Sequence, residues 1–282
     1  MASGSISVVY WHYLKNYYRS KSFYLMLFLD ILILGLFTYF SFKYQNKLPA
    51  FFKTFQGSST GKVVSLALVR SAFNYIWEFV LQLLPVFAAV FFGSPALSSE
   101  IESRTAFNVF PLPVSRFVLH LGKFFAALTV TAVILGIFAL GQFINFFLIY
   151  HIFEVSTFYI SILLSIVLAF SILSITFLVS SIFNKNLYAY ITVFLLYFLI
   201  FNAINIVFEF LYDYTPVYLL SNAASIVYRV YINFDPFSFT FSTGSISPAP
   251  ISAIILDTSV MMLYALVALA FSLIIFDRRE VK

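Results

Sequence analysis

Residues 158–183 read FYISILLSIVLAFSILSITFLVSSIF, an uncharged run with apolar residues on every face. A hydrocarbon core about 30 Å thick is crossed by roughly 20 such residues rising 1.5 Å each, so this stretch is long enough to span a bilayer as a helix. Five other runs have the same character, and the predicted spans are Ser22 to Phe42, Ala72 to Ser94, Phe124 to Tyr150, Phe158 to Phe183, Leu187 to Leu211 and Ile254 to Phe276. The runs are too long for the alternating segments of an outer-membrane barrel. The first is read as retained in the mature protein, because its apolar core exceeds that of a signal peptide and no small-residue cleavage site follows.

The whole chain agrees with this reading. Its 282 residues are 62% hydrophobic and 10% charged, with a mean hydropathy of +0.99. Those values lie outside the soluble range and predict a single all-α membrane domain over residues 1–282. Cysteine is absent, which excludes disulfides, thiolate metal sites and a cysteine nucleophile. The net charge of +5 is scattered beside apolar spans, so it reads as topology signal and headgroup contact instead of a nucleic-acid surface. With both termini in the cytosol, Lys15, Arg19, Lys21, Arg104, Arg116, Lys123, Lys185, Arg278, Arg279 and Lys282 fall inside. Lys43, Lys47, Lys53, Lys62, Arg70 and Arg229 fall outside, and the basic loop 43–70 runs against the trend.

Between the spans lie three segments with character of their own. Residues 1–21 mix Tyr10, Trp11, Tyr17 and Tyr18 with Lys15 and Arg19, as expected of an interfacial helix. In the region 98–116, Ser99 and Glu102 have capping-box spacing for a helix running toward Phe110. Pro111 and Pro113 would end it, and Ser115 would cap the next helix. The region 212–253 is a long external connection in which Thr215-Pro216 reads as a helix start and Val217 to Tyr231 as a re-entrant segment.

Chemistry is sparse. Gly57-Ser58-Ser59-Thr60-Gly61-Lys62-Val63 is not a phosphate-binding loop, since its glycines are one residue too close and Val63 has no hydroxyl for magnesium. His12, His120 and His151 lie outside the spans or at their ends, which argues against an intramembrane metal site. Helical spacing does produce two polar stripes: Asn74, Glu78 and Gln82 on span two, and Asn202, Asn205 and Glu209 on span five. A carboxylate facing lipid is costly, so these stripes face protein or water, as a pathway lining or as hydrogen-bond glue between helices. Asp30 sits deeper in span one, and Asp257 reads as complementing the positive start of the last helix. Ser161, Ser165 and Ala169 form a small-residue packing face on span four.

Glu100-Ile101-Glu102-Ser103-Arg104-Thr105, Pro113-Val114-Ser115-Arg116 and Gly122-Lys123 resemble the permease subunits of ABC type 2 transporters, as does the plan of six spans with a charged tail at Phe276 to Glu280. The resemblance implies a non-catalytic permease of an ATP-driven exporter in the plasma membrane, paired with a second permease as homodimer or heterodimer. Separate ATPase subunits would carry ATP and magnesium, with no cofactor on this chain. The segment holding Glu100, Glu102, Arg104, Thr105 and Arg116 would be the cytosolic coupling helix. Asp30, being in a span, joins Asn74, Glu78, Gln82, Asn202, Asn205 and Glu209 as candidate pathway residues, and 212–253 would be the external gate. An ion-coupled carrier using Asp30, Glu78 and Glu209 is the alternative.

Overall fold

The spans break where caps and special residues dictate. The computed structural model describes residues 2–45, 47, 66–103, 115–152, 155–212, 215–233 and 247–278. Helix α1 (Ala2–Arg19) stops at Ser20, whose hydroxyl accepts the Phe23 amide at 3.2 Å and starts α2 (Lys21–Tyr44). Helix α3 (Leu66–Gly93) and the short α4 (Pro95–Glu102) follow, with Pro95 as the first residue of α4. Proline is tolerated there because its missing amide would have no intrahelical partner. Ser115 caps α5 (Arg116–Tyr150) as expected, and that helix closes on His151 in the left-handed conformation at φ 55°. Then come α6 (Val155–Ile182), α7 (Asn186–Phe194), a π-helical turn at Leu195–Phe201, α8 (Asn202–Tyr212), α9 (Leu220–Ala224), α10 (Ile226–Arg229) and α11 (Ile251–Arg278). All regular structure among the described residues is helical.

Six stretches are long and apolar enough to cross a membrane: Lys21–Tyr44, Leu66–Glu100, Arg116–Tyr150, Val155–Ile182, Asn186–Tyr212 and Ile251–Arg278. They are the six predicted spans, with the starts of the second and third earlier by six and eight residues, the end of the second later by six, and the other ends within three. Burial ranks them. In α3, 72% of the apolar window is buried, against 11% for α2 and for the α7–α8 span, so the core is α3, α5 and α6 with α2 and α7–α8 at the periphery. The exposed Phe28 and Leu32 of α2, and Leu199 of the π turn, face where lipid would lie, at no hydrophobic cost.

Close approaches hold the periphery to this core. A Cβ on Gly122 of α5 would sit 2.5 Å from Cγ1 of Val9, so only glycine lets α1 cross α5 at that distance. Gly141 receives Leu34 of α2 in the same way. Trp77 of α3 packs on Phe37 and Phe138 and donates its indole N–H to Ser41 at 3.1 Å. The small-residue face of α6 is buried, and the Ser161 hydroxyl donates to the Val227 carbonyl at 3.0 Å.

Three local expectations are corrected. Ser99 and Glu102 form no capping box: the helix starts at Pro95, Ser99 falls inside it with its hydroxyl donating to the Pro95 carbonyl, and Glu102 is its last residue. Thr215-Pro216 does not start a helix either. Pro216 forms a turn whose carbonyl accepts the Leu219 amide at 3.1 Å, and α9 begins at Leu220. Asp257 stands beyond the first turn of α11 and pairs with Arg229 at 3.8 Å. Arg104, Thr105, the corner from Phe110 to Val114, most of loop 43–70, residues 234–246 and 279–282 lie outside the described residues.

Candidate functional site

Two groups of polar side chains stand out, one at the α4 end of the bundle and one among the spans. At the α4 end, Lys123 is fully buried on α5 because its long stem runs between helices to reach Glu100 at 2.5 Å. It also donates to the Ala96 carbonyl at 3.0 Å and lies 4.9 Å from the centre of the Tyr13 ring. Tyr13 donates its hydroxyl to the other Glu100 oxygen at 2.7 Å, and Tyr17 donates to the Phe92 carbonyl at 3.0 Å. Burial, and then the Glu100 charge, push both phenols well above their ordinary range, so they remain hydroxyl donors. One carboxylate thereby ties α1, α4 and α5 together.

The neighbouring contacts extend this junction. Glu102 accepts the Asn186 amide at 3.0 Å, supplying the cap that Lys185 does not give to α7. Arg116, at the start of α5, donates to the carbonyls of Phe276 and Asp277 at 3.3 and 3.0 Å and closes the end of α11. Of the expected coupling residues, Glu100 and Arg116 are thus engaged within the protein. Glu102 is exposed beside its bond to α7, and Arg104 and Thr105 lie outside the described residues.

The span-two stripe turns inward. Asn74, Glu78 and Gln82 are all buried; the first two stand beside Gln142 of α5, and the third, another step of about 40° around the helix, meets the π turn. Glu78 accepts from Gln142 of α5 at 3.0 Å. Asn74 and Gln142, with Phe143, Phe146 and Phe158, line a cavity of about 10 Å³, the size of one water. Gln82 lies beside Tyr197 of the π turn. Asn145, one turn beyond Gln142, donates to Thr38 of α2 at 3.0 Å. Asp30 is wholly buried, and neither of its oxygens has a hydrogen-bond partner among the described residues.

On span five, Asn202 donates to the Phe198 carbonyl of the π turn at 3.0 Å. Asn205 is buried with its Oδ1 unpartnered among the described residues, and the Glu209 side chain lies outside them. The sequence reading missed Gln142, Asn145 and Thr38. Their signal was the i, i+3 pairing of two amides on an otherwise apolar α5, the same spacing rule that found the stripes.

A profile of the ABC-2 family transporter proteins matches residues 7–281, nearly the whole chain. The chain belongs to that family. It is accordingly a multi-pass membrane protein and a transmembrane subunit of an ABC transporter, which generally works with ABC ATPase subunits. No curated protein matches this ABC-2 chain.

Proposed function

We propose that this ABC-2 protein is the permease of an ATP-driven exporter, with its termini and α4 in the cytosol of a plasma-membrane complex. Two permeases pair, and ATPase subunits holding ATP and magnesium bind at the α4 end. The observation carrying this reading is the junction at Glu100: a buried ion pair and a tyrosine bond fix α4 to α1 and α5, while Glu102 fixes it to α7. A push on α4 therefore moves four helices as a unit, which is what a lever between an ATPase and a membrane pathway requires. Glu102, with Arg104 and Thr105, forms the docking surface, and Glu100 and Arg116 stiffen it. Gln82, Asn202, Asn205 and Glu209 serve as pathway residues, and 212–253 gates its external end. Asp30, Asn74 and Glu78 respond to the motion from within the protomer.

Charge reversal tests this. Glu102→Lys with Arg104→Glu leaves membrane insertion intact and separates ATP hydrolysis from transport in the purified complex. Normal coupled transport by that variant contradicts the proposal. The ion-coupled carrier stays as a second reading because Asp30 is buried without a partner among the described residues. Uptake driven by a proton gradient in liposomes holding this chain alone would select it.

A further inference from the structure

The corner between α3 and α4 is a break in one helical path. Pro95, the first residue of α4, has no backbone N–H, so the Phe91 carbonyl one turn earlier loses the amide that an unbroken helix would give it. Ser94, between the two helices, stands where an N-cap belongs, yet its buried hydroxyl has no partner among the described residues. Other helices take up the freed groups instead. Tyr190 of α7 donates its hydroxyl to the Phe91 carbonyl at 3.2 Å, and Tyr17 of α1 donates to the Phe92 carbonyl at 3.0 Å.

Ser180 of α6 reaches further into the break. An unbroken helix would join the Ser98 amide directly to the Ser94 carbonyl. Here the Ser180 hydroxyl stands between them: it accepts the Ser98 amide at 3.1 Å and the Leu97 amide at 3.3 Å, and donates to the Ser94 carbonyl at 2.7 Å. A side chain inserted into the ladder bends a helix, as a proline does. Gly93 admits α6 to this distance, since a Cβ there would sit 2.8 Å from Thr176 Cγ2 and 2.9 Å from Leu173 Cδ1.

The two ends of α4 are therefore held by different means. Glu100 and Glu102 grip its last turn, and hydroxyls from three other helices grip its start. A rod held at one end pivots, whereas a rod held at both does not. We propose that Tyr17, Ser180 and Tyr190 are positioning residues for transport: their hydroxyls lock the angle of α4 against the spans, so that a push on α4 crosses the proline break into α3 and α6 without being lost in bending. Their use in transport rests on the reading of α4 as the ATPase contact, and the locked angle does not.

The cysteine-free chain lets that angle be measured. Nitroxide labels at Ser103→Cys, on the exposed end of α4, and at Asp277→Cys, exposed at the end of α11, give one distance within the protomer when labelled chain is diluted with unlabelled chain. Pulsed electron paramagnetic resonance of the full chain should show a single narrow peak. Tyr17→Phe with Ser180→Ala and Tyr190→Phe keeps both rings, removes only hydroxyls, and should broaden or split that peak. Ser174→Ala, which removes a buried α6 hydroxyl bonded to its own helix at Phe170, should leave it narrow. A narrow peak in the triple variant overturns the proposal, as does equal broadening in Ser174→Ala, which would mark general loosening. In the complex, ATP trapped on the ATPase partner should shift the wild-type peak without widening it. A wild-type peak that trapped ATP leaves in place, beside a triple variant that broadens, contradicts the proposed function and leaves the locking hydroxyls standing.

Discussion

The α4 end and the middle of the spans use the same residue types to opposite effect. At the α4 end, Glu100, Lys123, Glu102 and Arg116 all have partners, each on a different helix. Among the spans, Glu78 Oε2, Gln142 Oε1, Asn145 Oδ1, Asn205 Oδ1 and both oxygens of Asp30 are buried without a partner among the described residues. The first arrangement is a joint, because Lys123 and Glu100 neutralise each other while Glu102 and Arg116 bond to other helices, so a slip breaks several contacts at once. The second leaves buried polar atoms unused, so its helices have alternative bonding partners available when they move. A transporter needs both: a rigid input and a core with more than one arrangement.

The largest effect is expected where the joint is broken. Lys123→Met leaves Glu100, whose side chain is 14% exposed, without its cation and should destabilise the protein by about 3 kcal/mol, the low end for a buried pair, read as thermal unfolding in detergent. Adding Glu100→Gln should recover more than half of that loss. No recovery would show that the lysine stem, not the ion pair, holds the joint. Gly122→Ala should come next, because its methyl group meets Val9 of α1 and over-packing of this kind costs about 1–3 kcal/mol.

The spans should then separate from the joint in sign. Asp30→Leu removes a buried carboxyl that has no partner among the described residues and should raise the midpoint, by about 1–3 kcal/mol in stability. Glu78→Leu should lower it by a similar amount, since the Gln142 amide loses its acceptor. If both changes act in the same direction, the contrast between the two regions fails. The smallest effect is Glu102→Ala, where loss of the cap on α7 should cost about 1 kcal/mol and leave the fold intact.

The spans were legible because length and apolarity are properties of one stretch at a time, and Ser115 was legible because its cap is local. The start of α4 was hidden: Pro95 continues the apolar run of α3, and Ser99 and Glu102 offered a more conspicuous but false signal. The stripes on α3 and α8 could be found by spacing, but not their partners. Gln142 meets Glu78 across 64 residues, and Lys123 meets Ala96 across 27, through packing that no single helix encodes. Asp257 failed for the same reason, since Arg229 reaches it only once α10 has folded back onto α11.

The absence of cysteine allows a direct test of the lever. Ser103→Cys places one thiol on the exposed end of α4, next to Glu102. A short thiol-to-amine cross-linker applied to the complex in native membranes should join this position to an ABC ATPase subunit, with a yield that changes when ATP is trapped. Absence of that adduct, together with cross-linking of the ATPase from a cysteine at Ser221 in α9, would contradict the account.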